Sequence, residues 1–412
     1  MNLAVNTDRL VAELNALAAI SDCPEPPPAV TRIVFTPTDR RARDYLAGLY
    51  RAAGLAVRVD AIGNVFARWE GSDPSAAVVG TGSHCDALPH AGMYDGTVGV
   101  LGGLEAIRTL KAAGFKPRRS IELVMITSEE PTRFGLGCLG SRAMVGALGD
   151  VSRLIDDAGD SLEVVRQRAG FTGSLESTKL PPGYHHAWVE LHIEQGPELE
   201  AKGLPIGVVT GIAAPLQAEL TVHGEGGHAG AVLMPRRHDA LNAAAEMIGA
   251  IERLATTSPS PDLVATVGRL DVHPGAANSI PSRVKFSLDL RDIDGANRDR
   301  VFASIEQELT VIANRRDVSW VKSINNADPP APADPLVISA IESACQELGH
   351  AYQSMPSRAY HDSLFMARIA PMGMIFIPCR AGVSHRPDEY SSPEQLTVGV
   401  EVLAQTLANL SA

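Results

Sequence analysis

The stretch AAVVGTGSHCDALPHAGMYDGTVGVLGGLEAIRTLKAAG, residues 76–114, decides how the chain is read. It opens on a short apolar run, AAVVGTGSH (76–84), with the length of a buried strand. It closes on TVGVLGGLEAIRTLKAAG (97–114), which has helical apolar spacing and a glycine stop. Between them GSHCDALPHAGMYDG (82–96) crowds His84, Asp86, His90 and Asp95 among glycines and a proline, so no regular helix fits there. Such a loop is either a solvated polar turn or half of a metal site.

SIELVMITSEE (120–130) supplies the next strand and again ends in acids. The strand–helix–strand order predicts an α/β fold: a mixed, mainly parallel sheet with helices on both faces. In such sheets functional residues gather where strands deliver their C-terminal ends, and both GSHCD and TSEE lie at such ends. The middle of the chain differs. PLQAELTVHG (215–224) is strand-like, and a helix is expected across much of 236–257. PDLVATVGRLDVHPG (261–275) and SRVKFSLDLRDID (282–294) alternate like half-buried strands. ANRDRVFASIEQELTVIANRR (296–316) is helical, and VSWVKSI (318–324) is a further strand. This β-α-β-β-α-β order is the split plan of a ferredoxin-like α+β unit. Residues 213–327 are therefore read as an inserted domain, with 1–212 and 328–412 forming the domain that carries the polar clusters. NNADPPAPADP (325–335) suits the return linker. A helix at 335–348, a strand near 373–378 and a helix at 393–410 complete the reading.

At 412 residues the chain exceeds one ordinary core, which agrees with two domains. Its 36 basic and 48 acidic residues give a net charge of −12, which argues against a nucleic-acid or acidic-membrane partner. No apolar run approaches the roughly 18 residues that span a bilayer. The start, MNLAVNTDRLVAELNALAAI, carries Asp8, Arg9 and Glu13, as an amphipathic helix does and a signal peptide does not. Five scattered cysteines without CxxC spacing argue against a disulfide framework and for a cytoplasmic setting.

Alternate residues of a strand share a face, so Asp86 is placed to bond one nitrogen of His84 and leave the other for a metal. Asp95 precedes Gly96 near a helix start, where a carboxylate can bridge two metals or simply cap. The adjacent acids Glu129 and Glu130 suit a metal ligand beside a general base. Their plain alternative is an exposed helix start with Ser128 as N-cap. AWVELHIEQGP (187–197) puts His192, Glu194 and Gln195 at another strand end, and GVSHRPDEYS (382–391) puts His385 in a loop after GMIFIPC. Each histidine alone reads as well as a surface residue. Jointly, clusters at the ends of four strands suit an imidazole–carboxylate site for zinc or manganese. Nothing matches HExxH. HGEGGHAGA (223–231) fits G-x-G-x-x-A, but it lies in the insert and Pro235 blocks prompt helix entry; the glycines turn the backbone around His228 instead. Arg291 in LDLRD is either paired with Asp289, Asp292 or Asp294, or a bidentate clamp on a substrate carboxylate. Asn278 in PGAANSIP is a turn residue or a polar substrate contact. Cys85 should point into the core.

Taken in order, GSHCDALPHAGMYDGTVGV, TSEEPTRFGLGCLGSR, LHIEQGP, GGHAGAVLMPRRHDA, PGAANSIPS, LDLRDID and GVSHRPDEYSSPE resemble the amidase, hydantoinase/carbamoylase family of dinuclear metal hydrolases across nearly the whole chain. That resemblance implies a zinc-exopeptidase-like catalytic domain with an inserted lid and dimerisation domain, and hence a homodimer. It implies two divalent ions, zinc or manganese, with nickel or cobalt as further options. His84, Asp95, Glu130, His192 and His385 would be the ligands, with Asp95 bridging. Glu129 would be the general base and Asp86 the partner that orients His84. Gln195, His228, Asn278, Arg291 and His361 would hold substrate, with His228 also facing the oxyanion, in its own subunit or across the dimer. SRAYHDSLFMARIAPMGMIFIPC (357–379) is most similar to the ureidoglycolate branch; the allantoate and carbamoyl-amino-acid branches usually carry Gly-Ala-Gly-His-Asp there. Tyr360 is expected to reshape the pocket for a small ureido acid. The implied reaction is hydrolysis of a linear C–N amide bond with release of ammonia and carbon dioxide, ureidoglycolate going to glyoxylate. N-carbamoyl-L-amino acids and allantoate are the alternatives. Related aminoacylases and dipeptidases usually have an acid where His192 stands, and a non-catalytic binder would not need the full ligand set with Glu129. His90 has no role in this reading.

Overall fold

In a computed structural model that describes residues 3–23 and 29–412, one mixed sheet organises the polar clusters. Its strands run in the spatial order Ile206–Ile212, Met372–Ile377, His185–Ile193, Val78–His84, Ile121–Ile126, Val65–Trp69 and Ala56–Val59, with Tyr352–Ser357 also paired to Ile206–Ile212. The four neighbours from Met372–Ile377 to Ile121–Ile126 are mutually parallel. The flanking strands join antiparallel. Val78–His84 is buried along its whole length, as a central strand covered on both faces must be. Parallel neighbours deliver their C-terminal ends to one edge of the sheet, and that edge receives His84, the turn after Ile126 and His192.

The strand period of two divides the faces. Val189, Leu191 and Ile193 enter a core shared with residues of helices Thr7–Ala18, Pro37–Ala52, Thr97–Ala112, Pro335–Leu348 and Pro393–Ser411. Trp188, Glu190 and His192 therefore face the other side. There Ser363, on the short helix Ser363–Met366, accepts from Trp188 Nε1 at 2.8 Å and donates to Glu190. Local chemistry starts the helices where the sequence suggests. Asp334 caps Pro335–Leu348, and Ser392 with Gln395 forms a capping box ahead of Pro393–Ser411. The antiparallel strands Val65–Trp69 and, at the sheet edge, Ala56–Val59, and the strands Ile206–Ile212 and Tyr352–Ser357, have no counterpart in the sequence reading.

Contacts divide the chain into two compact units: Met1–Gly211, Pro332–Ser357 and His361–Ala412 in the first, Ile212–Ala331 with Arg358–Tyr360 in the second. The second takes in more than the 213–327 read from sequence. Its sheet is antiparallel, in the order Ser319–Ala327, Ala214–His223, Arg283–Asp292, with Val264–Thr266 and Leu270–His273 both on the last. Helices Ala240–Thr256 and Gly295–Arg316 pack on it around Leu220, Val222, Met247, Phe286 and Leu309. This is the ferredoxin-like plan, with the 261–275 segment broken into two short strands. Among the described residues, no helix is long and apolar enough to cross a membrane.

Gly82 shows how tightly the central strands are matched. A Cβ there would lie 1.9 Å from the Val124 carbonyl oxygen, and φ is +150°. Gly82→Ala is expected to lower stability by ~3 kcal/mol, read as a fall in the urea midpoint. A midpoint equal to the parent's would refute this reading of the strand contact.

Candidate metal centre

The loop after Val78–His84 loses its strand pairing at Cys85 and Asp86. The alternation that would aim Asp86 at His84 stops there, and the geometry differs from the expectation accordingly. His84 Nδ1 faces the Asp86 backbone oxygen at 3.0 Å, while the Asp86 carboxylate stands 3.8 Å away. That carboxylate instead accepts the backbone N–H groups of Glu129 at 3.3 Å and Glu130 at 3.1 Å. Asp86 thus holds His84 through its main chain and the acid pair through its side chain. His192 Nδ1 likewise faces a backbone oxygen, that of Ile193, at 2.9 Å. Donation from Nδ1 leaves Nε2 with its lone pair, the form a metal ligand needs.

Both Nε2 atoms point at one carboxylate oxygen. Asp95 Oδ1 is 3.4 Å from His84 and 3.2 Å from His192. Its other oxygen, Oδ2, is 3.2 Å from His385 Nε2, and His385 lies 3.6 Å from Glu130 Oε1. Two trios of donor atoms result, His84–Asp95–His192 and Asp95–Glu130–His385, each within 4.8 Å and sharing Asp95. Three imidazoles and two carboxylates fit a pair of divalent ions such as zinc or manganese. Gly96 makes room: a Cβ there would sit 2.5 Å from His84 Nε2. Glu129 and Glu130 are buried in a turn where Ser128 has φ +56°, so the pair does not open an exposed helix. Gln195 and His385 share that left-handed conformation. Each such residue costs on the order of 1–3 kcal/mol, and they gather here as strained residues do at working sites.

Gln195 is drawn into the centre itself: its amide donates to Asp95 Oδ2 at 2.7 Å, and its buried Oε1 has no hydrogen-bond partner among the described residues. His361 packs its ring 4.6 Å from that of His192, with Nε2 3.0 Å from Ser357 Oγ. Cys85 is buried in the core. His90 lies 3.4 Å from Cys23 Sγ through Nδ1. The remaining sequence-derived residues belong to the second unit. Gly227–His228 pairs with Ser279–Ile280, which brings His228 beside Asn278, whose carbonyl accepts from Ala229 at 2.9 Å. Arg291 is held by Asp289 at 2.7 Å and 3.0 Å, the ion-pair alternative. Arg358 bonds Asp262, and the Tyr360 hydroxyl donates to Asp328 at 2.8 Å.

The sequence reading passed over two residues. Ser384 Oγ is 2.9 Å from Asp95 Oδ2, and Glu389 accepts the backbone N–H groups of Tyr94 and Asp95. Their only signal was their place in the GVSHRPDEYS motif.

Charge follows geometry. Burial alone would raise the Asp95 carboxyl, yet the three imidazoles gathered around it, His192, His385 and His84, hold it well below the usual carboxylate range. Burial pushes Glu129 well above that range, with His84 opposing and Glu130 adding to the rise. Glu130 is pushed up to about 7 by burial and the Asp95 charge. His385 is raised to about 9, chiefly by its bond to Asp95.

Residues 80–409 match the peptidase family M20/M25/M40. The chain is 50% identical to the ureidoglycolate hydrolase of Arabidopsis thaliana, across 100% of this chain and 88% of that protein. It is 41% identical to an N-carbamoyl-L-amino acid amidohydrolase of Geobacillus stearothermophilus, across 99% of each. Among solved structures, AtUAH in complex with glyoxylate is similar at a TM-score of 0.90 and 50% identity, over 99% of this chain and 98% of that one. An amidase of the hydantoinase/carbamoylase family from Burkholderia multivorans is similar at 0.88 and 35%, with the same coverage.

A ligand must shed its proton before it binds an ion. In the metal-free protein His385 keeps its proton up to about 9 and Glu130 up to about 7. Metal binding at neutral pH should therefore release protons, and affinity should rise with pH until about 9, by about tenfold per pH unit for each proton displaced. Calorimetry in buffers of different ionisation enthalpy checks this; a pH-independent affinity would contradict it.

Proposed function

Since this chain belongs to peptidase family M20/M25/M40, and within it to the hydantoinase/carbamoylase amidases, we propose that it hydrolyses the ureido amide bond of a small ureido carboxylic acid. Ureidoglycolate is the leading substrate, taken with water to glyoxylate, carbon dioxide and two ammonia. The observation that carries the reading is Asp95, on which two trios of metal donors meet beside the buried acid Glu129. The higher identity to the ureidoglycolate hydrolase than to the carbamoyl-amino-acid enzyme supports the substrate order. N-carbamoyl-L-amino acids are the second reading, favoured by the full-length match to that enzyme.

When bound, two divalent ions supply a Lewis acid for the ureido carbonyl and an acidified water. Glu129 accepts a proton from the attacking water and returns it to the leaving nitrogen. Burial raises its pKa, which makes it a stronger proton acceptor than a solvated carboxylate. His228 Nδ1 accepts from the Gly230 N–H at 3.1 Å, so Nε2 carries the proton and can donate to a developing oxyanion. Arg291, whose Nε and Nη2 are held by Asp289, would offer the substrate carboxylate its positive charge from another edge of the guanidinium and not that fork. The unpartnered Gln195 Oε1 suits a substrate N–H, and Asn278 and His361 add polar contacts. Tyr360 limits the pocket to small acids. Zinc or manganese as the ions, a homodimer through the second unit and a cytoplasmic setting belong to the same reading; five free cysteines support a reducing compartment.

Glu129→Gln should cut kcat by about 10²–10⁴ while metal stoichiometry and substrate binding persist; unchanged turnover would remove Glu129 as the base. Ammonia release should be fastest from ureidoglycolate in a panel with allantoate and N-carbamoyl amino acids, each with defined metals added. Equal rates on bulky carbamoyl amino acids would overturn the substrate order and the role given to Tyr360.

A further inference from the structure

We infer that Glu389 is a positioning residue for the ion held by Asp95, Glu130 and His385, acting through the Asp95 peptide and through Ser384. The inference rests on the dinuclear reading above. The ligands differ in how they are held. His84 and His192 end paired strands and have their Nδ1 atoms fixed by backbone oxygens. Asp95 and His385 sit on loops, and the His385 side chain is 48% exposed. Loop-borne ligands need an outside brace to hold a fixed geometry.

Glu389 supplies one. It is buried at 2% exposure. Its Oε1 accepts from the N–H of Tyr94 at 2.8 Å and of Asp95 at 3.0 Å. Its Oε2 accepts from Ser384 Oγ at 3.0 Å, and the same hydroxyl stands 2.9 Å from Asp95 Oδ2, the oxygen that faces His385. One carboxylate therefore ties the peptide of the bridging ligand to the residue before His385, almost three hundred positions away in sequence. Gly92 clears the space, since a Cβ there would lie 2.4 Å from Glu389 Oε1. Through Ser384 the brace reaches Oδ2 alone, while through the peptide it holds Asp95 as a whole, so its influence is greatest on the His385 side of the pair.

The test is calorimetric titration of the metal-free full chain with Mn²⁺. The parent should take two ions, and His385→Ala should identify which of them depends on that trio. Glu389→Ala should weaken the same ion about 10–100-fold and the other by less. Glu389→Gln keeps an oxygen for both N–H groups and should restore most of the affinity. If Glu389→Ala does not fold, Ser384→Ala carries the test, with a loss confined to the same ion. Equal weakening of both ions, or none, in a parent that binds two would overturn this inference alone. A parent that binds fewer than two ions would overturn the dinuclear reading and this inference with it.

Discussion

A single carboxylate sets the terms for the first unit. Asp95 is buried, and a buried anion is tolerable only when its lone pairs are met. Its two oxygens face three imidazoles, the Gln195 amide and the Ser384 hydroxyl. The division matters as much as the number. Oδ1 serves the histidines that end strands and Oδ2 the histidine of a loop, so one side chain fixes the spacing of two donor sets. The parallel order of the four central strands follows the same demand. Only parallel neighbours bring several strand ends to one edge, where short loops can turn their polar residues inward.

Around that carboxylate the protein uses acids as braces as well as ligands. Asp86 and Glu389 each accept two backbone N–H groups from a neighbouring segment, Asp86 from Glu129 and Glu130, Glu389 from Tyr94 and Asp95. A carboxylate suits this task because it only accepts, and each of its oxygens can take more than one bond. Arg32 does the complementary work behind the loop. Its buried guanidinium donates to the carbonyls of Cys85 and Leu17, both at 2.6 Å, and of Ile20 at 3.0 Å. The segment between His84 and Asp95 is thus gripped from several distant parts of the chain, which explains why an irregular, glycine-rich stretch can present ligands in a defined arrangement.

Much of the first unit's sheet and the β-α-β-β-α-β order of the second were legible because they rest on periodicity, capping and apolar runs, which are local. Pro335–Leu348 and Pro393–Ser411 start where Asp334 and Ser392 cap them, and Thr97–Ala112 stops just before Gly114. The edge strand Ala56–Val59 is not legible in the sequence because it is mostly exposed and carries no buried pattern. Arg358–Tyr360 could not be assigned from sequence, since its place in the second unit depends on Asp262 and Asp328, far away in the chain.

For the site, residue type and position nominated clusters of imidazoles and acids at strand ends, and the resemblance to the hydantoinase/carbamoylase family singled out His84, Asp95, Glu129, Glu130, His192 and His385 among them. Tertiary structure alone decided how they meet: that Asp95 stands between both trios, that Asp86 bonds His84 through its carbonyl and not its carboxylate, and that Ser384 and Glu389 brace the loop ligands. The reason is physical. Strand and helix signals repeat over a few residues and can be read along the chain, whereas a hydrogen bond between positions hundreds of residues apart leaves no periodic trace and exists only once the backbone has folded around it.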